Sequence, residues 1–103
     1  MTLAAVAPGQ FKLHGLVNFA TSAVVEEQGA RLLLTSGDDD WEIDLSGISQ
    51  ADSSALSVFL CWIRLAKQQQ KSIGFVGMPH ELEALAQVCG IQPLLNNVKG
   101  LQN

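Results

Sequence analysis

The chain has 103 residues, 48% of them hydrophobic and only 16% charged, with a net charge of −4. That length suits one small domain over residues 1–103 with a single core. Its six Lys and Arg are scattered among ten Asp and Glu, which excludes the basic stripe of a nucleic-acid binder and argues against direct binding to anionic lipid.

The first ten residues, Met1 to Gln10, have no basic leader region, and their apolar run is too short for a signal peptide. No stretch approaches the roughly 18 apolar residues that span a bilayer. A cytoplasmic location without membrane insertion is the expectation. Thr2 to Ala7 reads as a first edge strand ended by Pro8-Gly9. Phe11 and Leu13 alternate with Lys12 and His14, a second strand. From Phe19 to Leu34 the spacing of Ala20, Ala23, Val24 and Ala30 among Glu26, Glu27 and Gln28 predicts a helix, with Asn18 or Thr21 as its cap. Ser36 to Asp40 is a turn. Trp41, Ile43 and Leu45 then alternate with Glu42 and Asp44, a third strand with one apolar face.

A helix follows from Ser53 to about Gln70, then a strand over Ser72–Val76 closed by Gly77. Pro79 begins a short helix in which Leu82, Leu85, Ala86 and Cys89 recur at helical spacing, with Gly90 as its stop. Ile91 to Leu95 can add a short last strand, and Lys99 to Asn103 is expected to fray. The order is β-β-α-β-α-β-α(-β), an α/β fold. Such alternation implies a mixed sheet of four to five strands, largely parallel in its later part, with helices packed on it.

The Ser53–Gln70 helix is apolar on two sides. Leu56, Phe59, Leu60 and Ile63 share one face, suited to a sheet. Val58, Trp62 and Leu65 lie on another. That second side meets either a neighbouring helix or another protein. In the latter case Trp62 is the natural anchor, because Trp is enriched among binding hot spots. The low charge content, against roughly 25% in a typical domain, likewise points to apolar surface covered by a partner, or to a surface rich in Ser, Gln and Asn.

Asp52-Ser53-Ser54 opens this helix. A carboxylate or hydroxyl there caps orphan backbone N–H groups. A phosphate on either Ser would also sit beside the donors of a helix N-terminus. Other candidates are thinner. Asp38-Asp39-Asp40 lacks the oxygen ligands a hard cation needs in a defined arrangement. His80-Glu81 has no second His at zinc spacing, and Gly74 and Gly77 belong to no phosphate loop. His14 has no partner in sequence, and no catalytic triad can be argued from spacing. No metal, cofactor or enzymatic activity is expected. Cys61 and Cys89 have no CxxC neighbour and read as buried free thiols.

Asp44-Leu45-Ser46, a short loop, then Asp52-Ser53-Ser54-Ala55-Leu56 resembles the signature of the STAS domain, the family of sulfate transporters and anti-sigma factor antagonists. The family form is a D-L-S strand end, a loop, then D-[ST]-[SGT]-G-L opening a helix. The order of elements matches across nearly the whole chain. In anti-sigma factor antagonists a partner kinase phosphorylates the residue that maps onto Ser53, with Ser54 the second choice. Ala55 stands where that pattern commonly has Gly, and its methyl is expected to crowd a kinase approaching the helix start.

The chain more closely resembles the small free-standing MlaB-like branch, which belongs to a phospholipid-transport ABC system of Gram-negative envelopes. The features carrying this are the Leu-rich central helix ending Leu65-Ala66-Lys67-Gln68-Gln69, and Leu85-Ala86-Gln87-Val88 in place of that branch's Leu-Ala-Lys-Leu. The resemblance implies a non-catalytic subunit docking on the cytoplasmic ATPase, with Ser53 near the contact; joined to the second apolar side of the helix, it gives Asp52, Ser53, Ser54, Ala55, Val58, Trp62 and Leu65 as the expected docking residues. The alternative it implies is an anti-sigma factor antagonist that binds a kinase and is switched at Ser53.

Overall fold

The structure, a computed structural model, describes residues 2–88. Pro8-Gly9 turns the chain between β1 (Thr2–Ala7) and β2 (Gln10–Val17), which pair antiparallel. Gly9 has φ +72°, and a Cβ there would lie 2.6 Å from the Asp40 carbonyl oxygen, so only glycine fits the turn. Its N–H donates to Asp38 Oδ2 at 2.8 Å. One carboxylate of the acidic run is thereby used locally. A second, Asp39, accepts from Lys71 Nζ at 2.9 Å.

β3 (Asp40–Ala51) lies parallel to β2, and β4 (Ser72–Val76) parallel to β3, giving the order β1-β2-β3-β4. The connections are α1 (Ser22–Ser36) and α2 (Ser54–Gln68), and α3 (His80–Val88) follows β4. Crossovers of this kind are what parallel neighbours require. The expected β-β-α-β-α-β-α order holds, and Leu32 to Leu34 finish α1. Gly90, Ile91–Leu95, Lys99–Asn103 and Cys89 lie outside the described residues.

Alternation along the strands sorts the sheet into two faces. Phe11, Leu13, Trp41, Ile43, Leu45 and Ile73 are buried beneath the helices. Lys12, Glu42 and Asp44 are half-exposed and His14 is exposed on the other side. β3 is longer than its apolar alternation indicates. It runs past Leu45 to Ala51, because β2 continues to Val17 and pairs with it through two register shifts. Gly47 sits there because a Cβ would meet the Leu13 carbonyl oxygen at 2.7 Å.

The two apolar sides of α2 have different neighbours. Leu56, Phe59 and Ile63 are buried, and the Phe59 ring stacks at a tilt 5.2 Å from Phe75 of β4. On the other side Val58 and Trp62 are also buried, and Trp62 is 0% exposed. Its indole N–H donates to the Glu26 carbonyl oxygen of α1 at 3.1 Å. A Cβ on Gly29 would lie 2.3 Å from the Trp62 ring. The expectation that Trp62 anchors a partner is therefore corrected. Its partner is α1, and the missing side chain of Gly29 makes room for it.

Gly29→Ala forces the Trp62 ring to shift and should destabilise the fold by about 1–3 kcal/mol, as overpacking does, measured by urea denaturation. The two tryptophans separate in the same assay. Trp62→Phe loses a buried hydrogen bond as well as volume. Trp41→Phe loses volume but removes an indole N–H that is buried without a partner, so it should cost less.

Candidate functional site

The N-termini of α1, α2 and α3 follow the C-terminal ends of the parallel strands, where α/β sheets present their binding loops. The corner at Asp52 is built by backbone first. The Asp52 N–H donates to the Val17 carbonyl oxygen at 3.2 Å, extending the β2–β3 pairing by one bond. The Asp52 and Ser53 carbonyls accept from Ala55 and Leu56, which starts the helix.

The Asp52 side chain joins two segments. Oδ1 accepts the Ser54 N–H at 2.8 Å, and Oδ2 accepts the Phe19 N–H at 3.2 Å. One exposed carboxylate thus caps α2 and ties down the loop entering α1. The Ser54 backbone N–H holds this carboxyl below the ordinary aspartate range against the opposing effect of desolvation, with smaller help from the Ser54 side chain and the Phe19 N–H. Because the carboxylate takes the cap, Ser53 occupies the N-cap position without a side-chain capping bond. Its hydroxyl is exposed and open to another molecule. Ser54 is half-buried.

The loop before α1 is held as firmly. Asn18 Oδ1 accepts the N–H groups of Ala20 and Thr21 at 2.9 and 3.1 Å. Thr21 Oγ1 accepts the Asn18 N–H at 3.0 Å and donates to the Leu16 carbonyl at 3.1 Å. These Asx and Thr bonds compete with helix formation, and α1 begins at Ser22 with Thr21, one of the two expected caps, at the N-cap position. Phe19 is left outside the helix, 87% exposed. It falls inside the expected Phe19–Leu34 range but outside the helix itself. The Asn18…Thr21 pair was the available signal.

Of the remaining expected docking residues, Ala55, Val58 and Trp62 are buried within the chain and Leu65 is half-buried against the core. The Ala55 methyl points inward at 0% exposure, so it does not crowd a molecule approaching the helix start. Val58 lines the floor of a groove between α1 and α2, with Ser22, Glu26, Ser57 and Cys61. Cys61 is a half-exposed free thiol there, where a buried one was expected. A second hollow, lined by Leu16, Asn18, Gln50, Ala51, Asp52 and Glu81, lies where β2, β3 and α3 meet.

The Asp44 half of the motif has a different task. Asp44 Oδ1 accepts the Ser46 N–H at 2.9 Å, and this bond lowers its pKa first, with Lys12 and His14 adding to the effect. Gly77, at φ +66°, packs so closely that a Cβ would lie 2.7 Å from Asp44 Oδ1. Asp44 therefore holds the chain locally at Ser46, and the turn that leaves β4 passes close against it. No group of His, Cys, Asp and Glu among the described residues is arranged to hold a metal, and no described helix is long and apolar enough to cross a membrane.

This architecture is similar to that of solved anti-sigma factor antagonists. A putative antagonist from Thermotoga maritima matches with a TM-score of 0.74 and 13% identity, over 89% of this chain and 80% of that one. The antagonist SpoIIAA in its unphosphorylated form matches with a TM-score of 0.61 and 13% identity, over 82% of this chain and 79% of that one. No curated protein matches the chain by sequence. The fold class is thus the STAS domain. The family model described as "Mlab, STAS domain" matches residues 3–96, and the chain belongs to that MlaB-like family.

The Asp52 carboxyl links two amides, so its ionisation can be read at both. In NMR titrations the Phe19 and Ser54 amide shifts should share one midpoint, below the ordinary aspartate value. The sign for stability follows from a depressed native pKa. The contribution is present above the unfolded value of about 3.9 and is lost as pH falls through the lower native value. Asp52→Asn should therefore lower the urea midpoint near neutral pH and converge with wild type in acid.

Proposed function

We propose that this chain is a non-catalytic binding subunit of a phospholipid-transport ABC system, docking on the cytoplasmic ATPase and supporting its assembly or activity. Membership of the MlaB-like STAS family supports that assignment. The observation that carries the site is the Asp52-Ser53-Ser54 corner. Its carboxylate is consumed in holding two loops, while the adjacent Ser53 hydroxyl stands exposed and uncommitted. A structural cap would use that hydroxyl, whereas a recognition group leaves it free. In this reading the docking surface comprises Asp52, Ser53, the exposed edge of Ser54, and Leu65 at the far end of α2. Val58 contributes only as the floor of the α1–α2 groove. The chain works in the cytoplasm, peripheral to the inner membrane through the transporter.

A second reading is favoured by the same free hydroxyl and by the fold shared with SpoIIAA, an anti-sigma factor antagonist whose structure is that of its unphosphorylated form. Phosphate on Ser53 would place roughly −1.5 to −2 charges at the α2 N-terminus, beside the Asp52 carboxylate. The chain would then act as an antagonist of an anti-sigma kinase, released by that charge.

Both readings are tested with one variant pair. Purified ATPase subunit from the organism's phospholipid-transporting ABC system should be retained on the immobilised chain. Ser53→Glu should weaken retention roughly tenfold or more, as misplaced charge at an interface does, while Ser53→Ala should change it less. Absence of retention, together with phosphate on Ser53 after incubation with ATP and a candidate anti-sigma kinase, found by mass spectrometry, would select the second reading.

A further inference from the structure

We infer that Phe19 is the aromatic anchor of the docking surface, and that the partner meets it with an apolar socket rimmed by Lys or Arg. This inference rests on the ATPase-docking reading and gives the chemistry of the surface that docks.

Phe19 is the most exposed large hydrophobic side chain among the described residues, at 87%. It is not a loose loop residue. Its N–H is held by Asp52 Oδ2, and its carbonyl accepts the Ser22 hydroxyl at 3.4 Å. The Asn18–Thr21 bonds fix the backbone on both sides. A side chain projected into solvent from an ordered backbone has already lost much of the entropy that binding would otherwise remove. Exposed Ala20, Ala23 and Val24 follow it along the start of α1 and extend the apolar area.

Charge names the partner's rim. The ionised side chains around this end of the sheet are Asp52, Glu26 at the α1–α2 groove, and Glu81 and Glu83 in the first turn of α3. Glu27 is paired with Arg31 at 3.0 Å. The cations of the described residues lie elsewhere. Arg31, Arg64 and Lys67 are in the second halves of α1 and α2, Lys71 pairs with Asp39, and Lys12 is on the open face of the sheet. Among the described residues, His80 at the start of α3 is the one basic side chain at this end. An aromatic knob beside the Asp52 carboxylate, at an end of the fold that carries three further acidic side chains, is complementary to a basic protein surface with an apolar hole, and it repels an anionic membrane.

The test measures affinity of the full chain for the purified ATPase subunit by calorimetry. Phe19→Ala should weaken binding roughly tenfold or more, the loss typical of a hot-spot aromatic, with the thermal midpoint unchanged because the ring is exposed. Phe19→Leu should recover part of that loss. Glu81→Lys should slow association, and wild-type affinity should fall between ~0.05 M and ~0.5 M salt. Val6→Ala, an exposed apolar change on β1, should leave binding as it is. Wild type that binds while Phe19→Ala binds equally, or binding indifferent to salt, overturns this inference alone. Wild type that does not bind the ATPase overturns the proposed function and this inference with it.

Discussion

The fold depends on the contact between the Trp62 indole and Gly29. α2 is apolar on two sides, and a helix of that kind is unstable unless both are covered. The sheet covers one side through Phe59 and Phe75. α1 covers the other only by coming close, and the absent Cβ of Gly29 permits the approach. The Trp62–Glu26 hydrogen bond satisfies the indole N–H that this burial would otherwise strand. The spacing of α1 and α2 sets the groove between them and the separation of their N-termini. The candidate site inherits its geometry from a contact in the core.

At the surface, Asp52 transmits that geometry to the N-terminal ends of α1 and α2. A carboxylate has two oxygens, and here they serve different segments, the α2 start and the loop before α1. The arrangement explains why Ser53 is free although it stands at the N-cap position. It also explains why Phe19 is displayed outward without becoming mobile. The two carboxylates of the motif differ in reach: Asp44 bonds locally to Ser46, whereas Asp52 joins the start of α2 to Phe19.

Much of the fold was legible because its signals are local. Alternation in Phe11–Leu13 and Trp41–Leu45, and helical spacing from Leu56 to Ile63, follow from periods of two and 3.6 that any buried face imposes. The corner was legible because Asp-Ser-Ser before an apolar run is a helix-start signal. The extension of β3 to Ala51 was not, since Ser46 to Gln50 carries little apolar alternation and is held by backbone pairing with β2. The exposure of Phe19 was not legible either. It lies at the edge of the expected helix, and side-chain bonds from Asn18 and Thr21 hold its backbone outside.

By itself, then, the sequence determined the order of elements, the helix that organises them and the position of the corner, because propensity and periodicity act between near neighbours. Only the tertiary structure decided which side of α2 is surface. Trp62 and Val58 read equally well as core or as docking residues until α1 is placed over them, because burial is a property of what lies opposite and not of the residue. Packing also turned Ala55 inward. The link from Phe19 to Asp52 and the contact of Gly29 with Trp62 join residues distant in the chain, through one carboxylate and one glycine.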